Sequence, residues 1–191
     1  MYKDILEHLN QHSTLGDDDI MNFFSILEFK TYPKNTVISK VNEVSNYLSF
    51  IVKGIAKSYV FDTKCNEYII YFPKENWWFG DLKSFYSREP SSIQIETIEE
   101  CEVIHISYDN LKNVLNDYPK IEKAAHNIIK DYTILCQERL VEMITLDAKG
   151  RYDKLVKKFP DIIQRVPQKT IAAYLGVTPE FLSKMKSKKI I

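Results

Sequence analysis

Side chains suited to hydrogen bonding with a nucleic acid are concentrated in one segment, Gln168–Lys186. Gly176 divides this segment into two short stretches, because glycine readily adopts the left-handed conformation that ends a helix. Thr178 and Pro179 then form a helix start signal, since threonine caps a helix and proline fits its first turn. Leu182 and Met185 mark the inward side of the second stretch. The outward residues are Pro179, Glu180, Ser183, Lys184 and Lys186. This pattern predicts a DNA-reading helix-turn-helix whose second helix enters the major groove.

Two of the outward side chains match the chemistry of base edges. The Glu180 carboxylate can accept a hydrogen bond from a cytosine amino group, and the Lys184 ammonium can donate to guanine N7 or O6. Other polar residues suit the positioning of phosphates better than the reading of sequence; they are Gln168, Lys169, Thr170, Thr178 and Ser183. An ordinary helical hairpin that binds nothing has the same helix pattern and stays an alternative.

Charge is divided unevenly along the chain. Eleven of the 26 basic residues and three of the 26 acidic residues fall within residues 149–191, which gives this part a formal balance of +8. Residues 1–148 carry the compensating −8. A basic region suits a polyanion, and phosphate neutralisation dominates DNA affinity. The candidates for phosphate contacts are Lys154, Lys157, Lys158, Arg165, Lys169, Lys184, Lys188 and Lys189.

Composition disfavours several classes of protein. The first residues lack the regions of a secretion signal, and the absence of an apolar run of about 18 residues argues against a membrane span. Cys65, Cys101 and Cys136 are widely spaced, as expected for reduced thiols in the cytoplasm, and the four histidines form no ligand-spaced cluster. No nucleophile–base set or glycine-rich phosphate loop is visible. We therefore expect a cytoplasmic protein that is not an enzyme and carries no metal or cofactor.

The middle of the chain has the pattern of a β-structure. Residues 1–28 are helical in pattern, and the acidic triplet Asp17–Asp19 favours the start of a helix by compensating its dipole. Between residues 29 and 107, runs rich in Val, Ile, Tyr and Phe alternate with turn residues; the runs are 47–54, 55–61, 67–72, 92–98 and 101–107. Many short strands at this spacing indicate a β-sandwich or barrel, with Trp77–Trp78 in its core and rim.

The longest helix is predicted over residues 119–145. Its apolar stripe consists of Ile121, Ala125, Ile128, Ile129, Tyr132, Leu135, Cys136, Leu140 and Met143. At 1.5 Å per residue this helix would span roughly 40 Å, more than a small barrel needs to cover one of its faces. The narrow seam favours pairing with the same helix of a second copy in a parallel dimer, with packing against the chain's own barrel as the alternative. A hinge containing Gly150 is predicted over residues 147–151, followed by a short helix over residues 152–159.

Four sequence landmarks accompany this order of elements. They are FIVKG at residues 50–54, FPKENWWFGDLKSF at 72–85, CEVIHIS at 101–107 and IAAYLGVTPEFLSK at 171–184. Together they resemble the Crp/Fnr family of bacterial transcription regulators, whose sensor is a β-barrel of the cyclic-nucleotide-binding type. The first three are similar to that barrel's glycine turn, its hairpin before the phosphate cassette and its closing strand. The fourth, with the preceding RYDKL, is similar to the short regulators common in Bacteroidetes.

This resemblance implies an α+β chain in three parts. Residues 1–118 would form the jelly-roll sensor, residues 119–147 the dimerisation helix and residues 148–191 the helix-turn-helix domain. The implied function is sequence-specific binding of double-stranded DNA by a homodimer, with an effector or partner acting at the barrel and RNA polymerase as a further candidate partner. The family's β-wing beyond the recognition helix is expected to be abbreviated, because only five residues follow Lys186.

The resemblance also locates candidate effector-pocket residues, which are Gly80, Asp81, Leu82, Ser91 and Ser92. In the family's cyclic-nucleotide binders an arginine and a small hydroxyl residue clamp the cyclic phosphate, and Ser91 and Ser92 occupy those positions here. A serine cannot replace a bidentate guanidinium. Arg88 lies three positions too early, and Asp81 is one methylene shorter than the family's glutamate. We therefore expect an effector other than a cyclic nucleotide, or none.

A second interpretation retains the β-barrel fold but assigns the basic tail to a partner other than DNA. In it, a ligand-sensing or scaffold barrel uses its basic tail to dock an acidic protein partner. The salt dependence of DNA binding separates the two interpretations, since phosphate contacts give a steep linear loss of affinity on a log–log plot.

Overall fold

The computed structural model describes residues Tyr2–Ser187, which are divided between two compact units. The first unit contains the chain up to Ser58 together with Phe72–Thr133. The second contains Tyr59–Tyr71 together with the chain from Ile134 onward. Lys188 and Lys189, two of the predicted phosphate contacts, lie outside the described residues.

Two four-stranded sheets form the β-structure, with the strand orders β1-β8-β3-β6 and β2-β7-β4-β5. The strands are β1 (Glu28–Tyr32), β2 (Val37–Ser39), β3 (Tyr47–Lys53), β4 (Ala56–Phe61), β5 (Glu67–Tyr71), β6 (Trp77–Phe79), β7 (Gln94–Thr97) and β8 (Cys101–Ser107). The pairs β1–β8, β3–β8, β3–β6 and β2–β7 are antiparallel. The helices of this part are α1 (Tyr2–His12), α2 (Asp17–Ser25), α3 (Leu82–Ser87), α4 (Tyr108–Asp117) and α5 (Pro119–Thr145).

The main core of the first unit lies on one face of the sheet that contains β3 and β8. Phe50 and Ile104 are cross-strand partners on that face, and Ile106 joins them because side chains alternate along a strand. Apolar residues of the helices pack there; they are Ile5, Leu9, Phe23, Phe85, Leu111, Val114, Ile121 and Ala124. The alternate positions Ser49 and His105 point to the opposite face and are also buried.

All five predicted strands are present as β3, β4, β5, β7 and β8, and Asp17–Asp19 form the first turn of α2 as expected. The strands β1, β2 and β6 and the helix α3 were not predicted individually. Strand β6 contains the Trp77–Trp78 pair, and Trp78 packs against the core. Strands β2 and β6 have three residues each and α3 has six, which are too few positions for a periodic pattern.

Helix α5 has the predicted bounds, but its apolar stripe is divided. Ile121 is buried, and Ile128 packs against the core of the first unit, so packing against the chain's own barrel is correct for this part of the helix. Farther along, apolar side chains are exposed; they are Ile129, Ile134, Cys136, Leu140, Val141, Met143 and Ile144. The helix thus has an internal partner at its start and an uncovered apolar surface over its second half.

The predicted hinge over residues 147–151 is wrong in its use of Gly150. Helix α5 ends at Thr145, and helix α6 (Ala148–Lys158) already contains Gly150. The Asp147 side chain caps α6, since its Oδ1 accepts a hydrogen bond from the Gly150 backbone N–H at 2.8 Å. The aspartate start signal therefore outweighs the helix-breaking tendency of a glycine in the first turn.

The second unit continues with α7 (Ile162–Arg165), α8 (Gln168–Leu175) and α9 (Pro179–Ser187), and β5 packs against α8. Its buried apolar residues are Leu155, Phe159, Ile162, Val166, Ile171, Ala172, Leu175 and Leu182. Within Tyr2–Ser187, no helix combines the length and apolar character needed to cross a membrane.

Candidate nucleic-acid interface and sensor cassette

Gly176 makes the turn between α8 and α9, as its position in the sequence predicted. Its φ of 69° is left-handed, a conformation that glycine adopts without the steric cost of a side chain. The backbone N–H of Gly176 closes the end of α8 through the carbonyl groups of Ala172 and Ala173. Val177 also donates to the Ala172 carbonyl at 3.0 Å, so three residues suffice to redirect the chain into α9.

Helix α9 begins with the predicted start signal. Pro179 is its first residue, and Thr178 Oγ1 accepts a hydrogen bond from the Phe181 backbone N–H at 3.2 Å. A hydrogen bond from its own backbone N–H, then one from the Thr178 hydroxyl, holds the pKa of Glu180 below its ordinary value, and Lys184 adds to the effect. Glu180 is therefore an ionised acceptor at neutral pH.

The outer side of α9 is polar and basic. Leu182 is fully buried beneath it, and Met185 on the same inner side is half-buried. Of the predicted outward residues, Pro179 is half-buried and the others are exposed; the exposed ones are Glu180, Ser183, Lys184 and Lys186. We call these four residues the α9 face.

The residues predicted to position phosphates lie at the starts of the two helices. Gln168 and Lys169 are exposed in the first turn of α8, and Thr170 beside them is half-buried. Thr178 is exposed at the start of α9. Helix N-termini attract phosphate groups through their free N–H groups and their dipole, so these positions are chemically suited to the predicted role.

Three of the basic residues proposed as phosphate contacts are paired with acidic side chains. Lys158 lies 3.4 Å from Glu138, Lys154 lies 3.9 Å from Glu142, and Arg165 lies 3.0 Å from Asp161. Partial neutralisation makes this set a weaker source of phosphate contacts than its count of charges suggested. Of the predicted set, the exposed Lys157, Lys169 and Lys184 thereby become the stronger candidates.

Two arginines that the sequence analysis did not single out hold the end of α8. Arg151 donates from Nη2 and Nε to the Leu175 carbonyl oxygen at 2.8 and 3.2 Å. The guanidinium of Arg139 donates to the Tyr174 carbonyl and stacks 3.7 Å from the centre of the Tyr174 ring. Cations satisfy the unpaired carbonyl groups at a helix C-terminus, so both arginines stabilise α8 directly before the turn.

Phe181 is the second omission of the sequence analysis. Its side chain is 53% exposed, whereas the adjacent Leu182 is 0% exposed. A helical projection centred on Leu182 and Met185 places residue 181 to one side of the inward direction. This projection could have predicted the exposure of Phe181 from the sequence.

The candidate effector residues form a closed hydrogen-bonded cassette in the first unit. Asp81 is 4% exposed and Ser91 is 2% exposed. Asp81 Oδ2 accepts from Ser91 Oγ at 2.7 Å, and its Oδ1 accepts from the Ser84 N–H at 3.2 Å as the cap of α3. Ser91 Oγ also accepts from the Ile93 N–H at 3.0 Å. The Asp81 carboxylate thus accepts one hydrogen bond from Ser91 and one from the first turn of α3.

The other cassette residues frame this pair. Gly80 leaves β6 with a φ of 155°, and a side chain there would come within 2.8 Å of Leu48. Leu82 is half-buried, whereas Ser92 is exposed. The structure therefore brings Asp81 and Ser91 into direct contact, with Ser92 turned to the surface.

Arg88 is held outside the cassette. Its guanidinium donates to the Asn46 side chain at 2.7 Å and to the Ser45 carbonyl at 3.1 Å, and it lies 5.0 Å from the centre of the Tyr108 ring. The guanidinium is therefore engaged by groups other than Asp81 and Ser91.

A second polar cluster is buried on the opposite face of β3 and β8. The His105 ring is bridged by two hydroxyl groups, with Tyr32 at 2.8 Å from Nε2 and Ser49 at 2.7 Å from Nδ1. Burial, with a smaller contribution from Lys30, lowers the pKa of His105 to about 4, so the ring is neutral at pH 7. Within the described part of the chain, no group of His, Cys, Asp and Glu could hold a metal ion.

Comparison with known proteins identifies the first part of this architecture. Residues 29–118 match the family model of the cyclic nucleotide-binding domain. This segment has the cyclic nucleotide-binding fold, and the described chain is a mixture of antiparallel sheets and helices of the α+β kind.

The relatives extend the likeness beyond that domain. The chain is 23% identical over 129 residues to the cAMP-activated global transcriptional regulator CRP of Salmonella typhimurium; the match covers 68% of this chain and 61% of that protein. Among solved structures, the c-di-GMP-responsive global regulator CLP of Xanthomonas campestris has a TM-score of 0.72 and 17% identity, with 91% of each chain covered. FixK2 of Bradyrhizobium japonicum has a TM-score of 0.70 and 16% identity, with 85% of this chain and 84% of that chain covered. The structural likeness shows the fold, and the chain's match spans about three fifths of the length of the curated relative.

Proposed function

We propose that the protein is a cytoplasmic, sequence-specific DNA-binding transcription regulator of the Crp/Fnr type that acts as a homodimer. In this proposal α8 and α9 form the helix-turn-helix, and RNA polymerase is a further partner in transcription. The observation that carries the proposal is the α9 face, which is exposed above the fully buried Leu182 and follows a capped helix start. Such an arrangement presents a rigid set of donors and acceptors to a groove.

The roles of individual residues follow from their chemistry. Glu180 would accept from a cytosine amino group, and Lys184 would donate to guanine. Gln168, Lys169, Thr170, Thr178 and Ser183 would position phosphates, and Pro179 and Lys186 would flank the contact. The short Bacteroidetes-type subclass and the division at residues 118 and 147 remain parts of this proposal.

A dimer would cover the exposed apolar residues on the second half of α5. Ile129, Cys136, Leu140 and Met143 are separated by seven, four and three residues, the repeat that forms a seam between two helices. Two copies paired along this seam would place their α9 faces on one side of the DNA, about 34 Å apart. Sedimentation of the protein and of Leu140→Glu tests the seam, because a buried carboxylate should separate the copies.

The sensor cassette supports an effector other than a cyclic nucleotide. Ser91, at the position of the family's arginine, is a neutral side chain that donates to Asp81 Oδ2, and the guanidinium of Arg88 binds Asn46 instead. Any effector at Gly80, Asp81, Leu82, Ser91 and Ser92 would have to open this hydrogen bond. Thermal-shift measurements with cyclic AMP and cyclic GMP test the point, and stabilisation by either would contradict it.

Selection from a random pool of duplex oligonucleotides tests the DNA-binding proposal. We expect enrichment of a roughly palindromic sequence, and an affinity for it that falls linearly with log salt at a slope set by the number of phosphate contacts. Failure to enrich any sequence, together with capture of acidic polypeptides by residues 149–191 of the intact chain, would favour the scaffold interpretation instead.

A further inference from the structure

The structure leaves one large apolar side chain on the helix that carries the α9 face. Phe181 is 53% exposed, although a phenylalanine is usually buried and the neighbouring Leu182 shows that α9 has an apolar side available. Its backbone N–H is bound by Thr178 Oγ1 at 3.2 Å, so the residue belongs to the ordered first turn of α9. The side chain of Phe181 is therefore exposed on an ordered, capped turn of the helix and not on a frayed helix end.

The position of Phe181 around the helix relates it to the charged residues. At 3.6 residues per turn, Phe181 lies about 60° from Lys184 and about 100° from Glu180. Both of these neighbours are exposed. The ring thus borders the residues proposed to read bases, in the N-terminal turn from which recognition helices contact base edges.

We propose that Phe181 is a specificity-determining residue whose ring packs against the C5-methyl group of a thymine in the major groove. This inference rests on the proposed function. In the major groove, the methyl group of thymine is an apolar feature that distinguishes an A·T pair from the others, and a phenylalanine is one of the side chains that contact it. Glu180 and Lys184 can recognise bases only by hydrogen bonding. The aromatic ring of Phe181 adds recognition of an apolar methyl group, which neither charged side chain can provide.

The surroundings of Phe181 favour DNA over an apolar protein partner as the occupant. The ring is flanked by Lys184 on one side, and Lys186 and Ser183 are exposed on the same helix. A cationic border suits a polyanion that carries an isolated methyl group, whereas protein interfaces are depleted of lysine at their cores.

The experiment uses the full-length protein and the duplex that it selects from a random pool. Each thymine of that duplex is replaced in turn by deoxyuridine, which keeps the base pair and its hydrogen bonds but lacks the methyl group. We expect one thymine in each half-site at which this replacement weakens binding about fourfold, the equivalent of one buried methyl-sized group. Replacing both symmetric thymines should weaken binding about 16-fold.

Variants connect that methyl group to the ring. Phe181→Ala should bind the thymine and deoxyuridine duplexes equally, so the coupling between the two changes disappears. Phe181→Leu should retain part of the discrimination because leucine is still apolar. Phe61→Ala removes a phenylalanine of similar exposure, 43%, on the β4–β5 hairpin and should keep the full methyl dependence. At the same position, a pair containing 5-methylcytosine should bind the wild type more tightly than one containing cytosine.

The outcomes separate the inference from the function on which it rests. A selected duplex whose thymines can all be replaced without effect, or whose methyl dependence persists in Phe181→Ala, overturns the role of Phe181 and leaves DNA binding intact. A change in sedimentation caused by Phe181→Ala would assign the ring to a protein contact and also overturn it. If no duplex is enriched, the proposed function fails first, and this inference fails with it. If Phe181→Ala does not fold, Phe181→Leu provides the test, and an undiminished methyl dependence in that variant overturns the role of Phe181.

Discussion

At the sensor cassette the Asp81 carboxylate is buried and takes hydrogen bonds from Ser84 and Ser91, whereas on α9 the Glu180 carboxylate is exposed beside Lys184. The cassette satisfies its polar groups internally, and the α9 face presents them to the surroundings. Substitutions should therefore act differently in the two regions. Changes in the cassette should alter the free energy of unfolding, and changes on the α9 face should alter binding while the fold remains.

The largest effect on stability is expected below the α9 face. Leu182→Ala should lower the free energy of unfolding by about 2–5 kcal/mol, because it leaves a cavity at a fully buried site. Urea denaturation of the full chain measures this loss. Met21→Ala, at an exposed position on α2, is the control and should change stability by less than about 0.5 kcal/mol. A small effect at Leu182 would mean that the α9 face is not fixed by this anchor.

The next effect concerns pH and the buried histidine between Tyr32 and Ser49. The unfolded chain binds a proton at His105 below about pH 6.5, whereas the folded protein resists it until the pKa of about 4, so stability is full above pH 6.5 and falls as the pH drops towards 4. A shift of this size corresponds to about 3 kcal/mol. His8, whose pKa is also lowered to about 4, chiefly by burial and then by His12, adds to the same slope.

Urea denaturation between pH 4 and 7 measures this dependence. His105→Gln keeps a neutral hydrogen-bonding side chain and should flatten the slope, leaving the share of His8. The exposed His126→Gln is the matched control and should reproduce the wild-type slope. An unchanged slope in His105→Gln would show that folding does not lower the pKa of His105.

On the α9 face, Lys184→Ala should change binding and leave stability nearly unchanged. We expect a loss of about 1–3 kcal/mol on the selected duplex, with relaxed preference at one base position. Competition binding with a library of single-base variants measures both effects, and Lys3→Ala on α1 controls for the loss of one exposed positive charge. An equal loss on every sequence would assign Lys184 to phosphate rather than to a base.

In the cassette, Ser91→Ala should cost about 1–3 kcal/mol of stability, because the buried Asp81 carboxylate and the Ile93 N–H lose a partner. DNA affinity should be kept. Ser92→Ala changes the adjacent, exposed serine and is the matched control. If Ser91→Ala were instead neutral for stability and altered DNA binding, the cassette would be coupled to the reading helices rather than closed on itself.

The residues that the sequence predicted well are those whose signal is local. Periodic apolar runs identified β3, β4, β5, β7, β8 and α5, and the Gly176 turn with the Thr178 cap identified the start of α9. The sequence also placed Glu180, Ser183, Lys184 and Lys186 outward, because Leu182 and Met185 define the opposite side.

The features that the sequence did not predict depend on contacts between residues that are far apart along the chain. Arg139 and Arg151 bind carbonyl groups that lie 35 and 24 residues away along the chain. No spacing pattern in the sequence predicts such pairs. The hydrogen bond between Ser91 and Asp81 depends on the path of the chain between them, which the sequence does not reveal. The sequence did reveal that Ser91 stands where the family's binders have an arginine. Phe181 was overlooked for a different reason, since hydrophobic residues are assumed to point inward unless the helical projection is consulted.

If two copies pair through the exposed apolar residues on the second half of α5, as proposed, the amount of protein in the cell becomes a variable of its own. A surface that is covered only when two copies meet gains its stabilisation by mass action, so dilution should both lower the melting temperature and separate the paired reading helices. The abundance of the chain would then set a threshold for DNA occupancy, whatever signal the barrel receives.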